Sequence, residues 1–177
     1  LMPHLHLSLQ SGDDLILKRM KRRHLREDAL GVIERLRALR PDMVFGADII
    51  AGFPTETDEM FANSLSFIAE ANLTYIHAFP YSPRPGTPAA RMPQVDKGTA
   101  KKRAALLRSA GEKQFAALCA TRIGSVQSVL VERGGIGRTE HFVPVGVADA
   151  EPGTLLAMQI TGFDANGLVG EALRAAA

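Results

Sequence analysis

Polar side chains alternate with leucines near the start of the sequence. Residues 4–10 read HLHLSLQ, so that histidine, serine and glutamine lie on one face and leucine on the other. This period of two is typical of a β-strand with one apolar and one polar face. In a closed parallel barrel the leucines would face the outer helices and the polar side chains the lumen. Polar groups near the carboxyl end of a barrel strand indicate an active-site mouth.

A proline-rich segment, FPYSPRPGTPAARMP at residues 79–93, follows another apolar run. Its five prolines restrict φ and lower the entropy of the free loop, so that it can present side chains from a stiff frame. The side chains that we expect to face a ligand are Tyr81, Ser82, Arg84 and Thr87. Arg84 is the first candidate for an anionic or carbonyl partner because its guanidinium offers several donors in one plane.

The elements that must position these residues can be predicted from the same pattern. Three strand-like runs, at residues 4–10, 43–50 and 74–79, are each followed by helical sequence, which is typical of βα units around a parallel sheet. The second strand leads into AGFPTETDE, where Thr55 and Asp58 have capping-box spacing for the next helix. We therefore predict an α/β region over residues 1–121, ending in a basic helix from about residue 99.

The sequence changes character after about residue 122. Short β-rich runs such as VQSVLVE and HFVPVGVA are separated by glycine-containing turns, which predicts a small antiparallel barrel over residues 122–177. The basic charge is concentrated in the first region, with 17 Lys and Arg against 13 Asp and Glu, whereas the second has 4 against 6. This mildly basic balance permits contact with nucleic acid without requiring it.

Composition narrows the class of protein. The hydrophobic fraction of 46% is that of a folded chain, and no apolar run reaches the roughly 20 residues that span a bilayer. We expect a cytoplasmic protein with no membrane contact. The one cysteine, Cys119, excludes an internal disulfide and a cysteine-ligated metal site made by this chain alone, so we predict that it is a core residue.

Three segments in order, LQSGDD with LKRMKRRH, then DIIAGFPTET, then FPYSPRPGTPAARMP, resemble the second half of a radical S-adenosylmethionine methylthiotransferase. The closing β-rich region is similar to the TRAM domain that ends those enzymes and helps them to hold tRNA. The resemblance implies three C-terminal βα units of a partial TIM-like barrel, followed by a small OB-like barrel. The sequences of these segments are most similar to the branch that methylthiolates N6-threonylcarbamoyladenosine, although the branches acting on isopentenyladenosine or on a ribosomal protein share much of them.

The resemblance also implies cofactors and partners. Such enzymes use S-adenosylmethionine and two four-iron four-sulfur clusters, each held by three cysteines, to modify adenosine 37 in the tRNA anticodon stem-loop. Those cysteines are absent from this sequence. We therefore expect a C-terminal fragment of a longer enzyme that is inactive alone and monomeric as the full protein. No residue of this chain is assigned as catalytic or as a metal ligand, and the sulfur and electron donors stay unassigned.

The same resemblance implies contact residues. Those expected along S-adenosylmethionine follow the first and second strands: Gln10, Ser11, Gly12, Ile50, Gly52, Phe53 and Pro54. Those expected to contact RNA are Arg22 and Arg23 after the first helix, and Arg133, Arg138 and His141 in the closing region. The basic side chains of the last helix of the α/β region, Lys97, Lys101, Lys102 and Arg103, are interpreted as solvated.

Two alternatives of other classes remain at this stage. His4 and His6 share one strand face and resemble the paired ligands of amidohydrolase-type zinc enzymes, with Asp48 and His77 as conceivable further ligands. A non-catalytic RNA-binding module is the other alternative.

Overall fold

The computed structural model describes residues 2–148 and 150–173. Contacts between Cα atoms divide the chain into two units, residues 5–114, and residues 1–4 together with 115–177. The division falls inside the longest helix, ahead of the boundary predicted at residue 122. Among the described residues, no helix is both long and apolar enough to cross a membrane.

The first unit is built from strands that alternate with helices. Its elements are β1 (His4–Gln10), α1 (Asp14–Arg19), α2 (Arg26–Leu39), β2 (Val44–Ala51), α3 (Asp58–Glu70), β3 (Leu73–Pro80) and α4 (Lys97–Ala120). The three strands form one sheet in the order β1-β2-β3. Strands β2 and β3 are parallel, with Asp48 opposite His77. The α/β class predicted from the strand and helix pattern is therefore confirmed.

Short polar side chains begin two of the helices. The Asp13 carboxylate accepts a hydrogen bond from the Ile16 amide at 3.0 Å and caps α1. Helix α3 is capped by Thr57, whose hydroxyl accepts from the Met60 amide at 3.2 Å. The predicted capping pair of Thr55 and Asp58 is wrong, because Thr55 lies before the helix with a φ of 66°.

The core of this unit lies between the central strand and the helices. Strand β2 is largely buried on both faces, as expected for a strand covered by helices. Its Phe45 and Ile49 pack in one apolar cluster with Phe67 of α3 and Leu107 of α4, and all four are at most 1% exposed. Burying each of these side chains contributes roughly 1.5–3 kcal/mol, and this burial holds the strands and helices of the unit together.

The second unit contains a closed five-stranded barrel in the order β4-β5-β6-β8-β7. Its strands are β4 (Val126–Val131), β5 (Ile136–Thr139), β6 (Pro144–Gly146), β7 (Leu155–Asp164) and β8 (Gly167–Ala172). The predicted barrel is present, but it is not wholly antiparallel because β6 and β8 pair in parallel. Its core consists of Val129, Val145, Ile160 and Leu168 together with Cys119, which is fully buried as predicted.

Candidate functional site

A cavity of about 560 Å³ lies at the carboxyl ends of the strands in the first unit. Its walls come from β1, β2, β3 and the proline loop, which we define as residues 81–93. The lining residues are Gln10, Asp48, Ile50, Phe79, Pro80, Tyr81, Ser82, Arg84, Thr87 and Ala89. This volume and this mixture of aromatic, apolar and few polar groups are typical of sites for small molecules.

The proline loop supplies all four of its predicted ligand-facing residues to this cavity. Its start is fixed to the sheet, because the Tyr81 amide donates to the Ala51 carbonyl at 2.8 Å. The Thr87 hydroxyl donates to the Arg84 carbonyl at 2.8 Å, so that threonine shapes the turn. The Arg84 side chain is left to present its charge at an exposed position of the wall.

The residues predicted along S-adenosylmethionine separate into two groups. Gln10 and Ile50 line the main cavity, and both also line a neighbouring one of about 350 Å³ together with Phe53. Gln10 has a φ of 72°, which turns the chain at the end of β1. The Phe53 ring packs edge-on against Tyr81 with centroids 5.2 Å apart, linking the two loops.

Ser11 and Gly12 instead pack against α3. The Ser11 hydroxyl lies 3.2 Å from that of Ser64 and accepts from the Asp13 amide at 3.1 Å, while the Gly12 amide donates to Ser64 at 3.0 Å. A Cβ on Gly12 would lie 2.8 Å from Phe67. Both residues are buried, and neither lines the cavities described above.

The β2 loop, which we define as residues 52–57, is also held from inside. Gly52 has a φ of 71°, and a Cβ there would lie 2.4 Å from that of Ala100 in α4. The close approach that this glycine permits is therefore to a helix. Pro54 is buried beside it. Neither Gly52 nor Pro54 lines the described cavities.

A buried ion pair anchors the β2 loop to α4. The Glu56 carboxylate accepts from the Gly52 amide at 2.8 Å and from Arg103 at 2.7 Å. Arg103 also donates to Asp58 at 2.6 Å, and its side chain is only 7% exposed, so the prediction that it is solvated is wrong. Burial raises the pKa of Glu56, whereas its hydrogen bonds to Gly52 and Arg103 oppose that shift. Its Oε1 has no hydrogen-bond partner among the described residues.

A cluster of possible metal ligands crosses the sheet. His6 Nε2 lies 3.0 Å, and His77 Nδ1 3.3 Å, from the same Asp48 oxygen. These three residues form the one group of potential ligands found among the described residues, and it does not include His4. Sequence reasoning paired His4 with His6 and named Asp48 and His77 as conceivable further ligands. The structure brings together His6, Asp48 and His77, without His4.

The residues predicted to contact RNA differ in exposure. Arg23 is exposed, and Arg22 is exposed while donating to the Ser8 carbonyl at 2.6 Å. In the barrel unit Arg133 is exposed, and Arg138 pairs with Glu132 at 3.2 Å. His141 is 6% exposed, so its side chain is buried.

The cysteine content of the sequence bears on iron–sulfur ligation. Such clusters are held by cysteine thiolates, and the sequence has one cysteine. Cys119 is buried, and that burial raises its pKa, which favours the thiol over the thiolate.

Comparison with known sequences finds that this chain is similar to tRNA-modifying enzymes. The model of the Radical SAM superfamily matches residues 2–68. The threonylcarbamoyladenosine tRNA methylthiotransferase MtaB of Rickettsia prowazekii is 55% identical over 145 residues, which are 82% of this chain and 34% of that protein. The tRNA-2-methylthio-N6-dimethylallyladenosine synthase of Bartonella bacilliformis is 41% identical over 97% of this chain and 39% of its own length. The chain thus spans between about a third and two fifths of these curated relatives.

A solved structure shares the fold. Coproporphyrinogen III oxidase HemN from Escherichia coli, described as a radical SAM enzyme, superposes with a TM-score of 0.51 at 16% identity. The match covers 97% of this chain and 46% of that one.

Proposed function

This chain is homologous to the radical SAM tRNA methylthiotransferases, and we propose that it is part of an enzyme that adds a methylthio group to C2 of N6-threonylcarbamoyladenosine at position 37 of tRNA. The observation that carries the proposal is the 55% identity over 145 residues to a threonylcarbamoyladenosine tRNA methylthiotransferase. The corresponding identity to the dimethylallyladenosine synthase of Bartonella bacilliformis is 41%, so the isopentenyl branch is the second candidate.

The cavity supports a role in binding the reactants. Its aromatic and apolar wall can exclude water, while Gln10, Ser82 and Arg84 offer donors that can orient a polar molecule. We propose that S-adenosylmethionine lies along the ends of β1 and β2, next to Gln10 and Ile50, with Phe53 beside them. Arg84 would contact the incoming nucleotide or the cofactor from the proline loop.

The cofactors supply the chemistry that side chains cannot. Bound S-adenosylmethionine and an iron–sulfur cluster would supply the radical chemistry at adenosine C2 and the methyl group, while Gln10, Ile50 and Arg84 would hold the reactants. We propose that both clusters are held by cysteines in other parts of the whole enzyme. The part played by this chain is then to bind and orient the reactants and to exclude water.

The barrel is proposed to be a TRAM-like module that contacts the tRNA anticodon stem-loop. Its closed five-stranded barrel supports this, because small five-stranded barrels include folds that bind nucleic acids. Its exposed Arg133, and Arg22 and Arg23 of the first unit, are the candidate phosphate contacts.

Nucleoside mass spectrometry of tRNA tests the function. A strain without the gene for the whole enzyme should lose methylthio-threonylcarbamoyladenosine and regain it when the wild-type gene is returned. A gene that carries Arg84→Ala should restore at most about one tenth of the wild-type level of the modified nucleoside, because a charged hydrogen bond is worth about 1.5–3 kcal/mol. Arg91→Ala is the matched control, since Arg91 is exposed in the same loop but does not line the cavity.

Each other outcome has a definite meaning. Unchanged methylthio-threonylcarbamoyladenosine in the deletion strain would overturn the proposal, and loss of the isopentenyl analogue would move it to the second candidate. Normal modification with a stable Arg84→Ala enzyme would make the proline loop purely architectural. Filter binding of tRNA to this chain, with and without residues 122–177, tests the part assigned to the barrel.

A further inference from the structure

The three side chains His6, Asp48 and His77 lie on adjacent strands, one on each of β1, β2 and β3. Asp48 is on the central strand, directly opposite His77 in the parallel register. All three project to the same face, since their ligand atoms lie within 4.8 Å of one another. Their approach is therefore set by the backbone of a sheet and does not depend on a flexible loop.

The two distances from Asp48 match those between ligands that share a metal ion, and the ligand nitrogens of the two histidines lie within 4.8 Å of each other. Two ligands at about 2.0–2.1 Å from a tetrahedral ion are about 3.3 Å apart. The Asp48 oxygen lies 3.0 Å from His6 Nε2 and 3.3 Å from His77 Nδ1. An ion could therefore enter among these three atoms with only small side-chain rotations.

The surroundings make room for the His6 imidazole and leave the three side chains accessible. A Cβ on Gly46 would lie 2.6 Å from His6 Nδ1, so this glycine makes room for the ring. The rings of His6 and His77 lie with centroids 4.7 Å apart. The side chains of His6, Asp48 and His77 are 30%, 32% and 60% exposed, so an ion can reach them from solvent.

We propose that His6, Asp48 and His77 form a three-ligand site for a divalent transition metal of the zinc, cobalt or nickel type. Two imidazoles and one carboxylate are ligands that such ions accept, and three protein ligands leave a coordination position open. Because Asp48 also lines the 560 Å³ cavity, that position can take water or an oxygen atom of a molecule bound there. The proposal does not rest on the methylthiotransferase function.

Titration with Co²⁺, followed by visible absorption and then by competition with Zn²⁺, tests the site. The experiment uses the 177-residue chain without a polyhistidine tag and without added iron, sulfide or S-adenosylmethionine. We expect one equivalent of metal. His77→Ala should weaken binding at least about tenfold, since loss of a partner behind a ligand already costs about 10–100-fold. His4→Ala is the matched control and should change affinity less than about twofold.

The His77 side chain is 60% exposed, so its truncation should leave the fold intact, which circular dichroism checks. Asp48→Asn is the second variant and should also weaken binding, because it removes the negative charge but keeps the shape. Absence of Co²⁺ binding by the folded wild-type chain would overturn the proposal. A loss in His4→Ala with none in His77→Ala would also overturn it, in favour of a pair of histidines on β1. None of these outcomes bears on tRNA modification.

Discussion

The β2 loop and the proline loop follow neighbouring strands, yet they are ordered by different means. In the β2 loop, residues 52–54 and Glu56 are buried, and Glu56 binds both the Gly52 amide and Arg103. In the proline loop most residues are exposed, and the backbone is restricted by four prolines and by the turn from Arg84 to Thr87. One loop is held by buried polar contacts and the other mainly by its covalent geometry.

The two loops therefore have different roles at the site. The buried groups of the β2 loop are already occupied by α4, so this loop sets the position of the cavity wall. The proline loop uses few side chains to hold itself, so Tyr81, Ser82 and Arg84 are available to a ligand. Substitutions should therefore affect stability at the β2 loop and binding at the proline loop.

The largest expected effect comes from Arg103→Met. Removing one partner of a buried ion pair leaves Glu56 buried without its cation, which costs about 3–5 kcal/mol of unfolding free energy. The variant should increase the rate of amide hydrogen exchange more at residues 52–57 than at residues 81–93. Lys101→Met, exposed on the same helix, should stay within about 0.5 kcal/mol in denaturant unfolding. Equal acceleration of exchange in both loops would show that they are not held independently.

The next largest loss of stability is expected from substitution of a glycine in the β2 loop, compared with one in the proline loop. Gly52 and Gly86 both have left-handed φ angles, 71° and 83°, but a Cβ would strike Ala100 at Gly52 and meet nothing within 4 Å at Gly86. Each substitution by alanine should cost about 1 kcal/mol through its backbone angle. Gly52→Ala should cost a further 1–3 kcal/mol or so through overpacking. Equal midpoint shifts in denaturant unfolding would contradict the close packing of the β2 loop on α4.

Much of this arrangement could be predicted from local sequence. The alternation in residues 4–10 and the apolar run before Gly52 predicted β1 and β2, and the prolines predicted the loop whose residues line the cavity. The capping threonine was wrong because Thr55 has capping-box spacing to Asp58, whereas Thr57, which caps α3, has Met60 at that spacing. The structure shows a left-handed φ at Thr55, which is not the extended conformation of an N-cap. That angle depends on contacts of the loop, such as the Thr55 amide with the Pro93 carbonyl, which are distant in sequence.

Arg103 was missed although a local signal existed. Ala100, Ala104 and Leu107 form the buried stripe of α4, and Arg103 lies three residues after the first of them and four before the last. A helical period thus predicts that it faces inward, whereas the basic run alone indicated solvent. The sequence did suggest Asp48 and His77 as partners of His6, but it could not exclude His4, because the register that sets Asp48 opposite His77 is a property of the sheet.

The smallest expected effect separates the two influences on Glu56. Because burial raises the pKa of this carboxyl, the folded chain holds its proton more tightly than the unfolded chain does. The resulting stability is fully present below the ordinary value of 4.5 and is lost as the pH rises through the higher folded value. Glu56→Gln cannot titrate, so the unfolding free energy of the wild type minus that of the variant should fall as the pH rises above the ordinary value of 4.5. Both free energies are measured by denaturant unfolding at each pH, and subtracting one from the other cancels the contributions of the other titrating groups. A difference that grows with pH would mean that Arg103 and the Gly52 amide outweigh burial, and that the β2 loop is held by a net favourable ion pair.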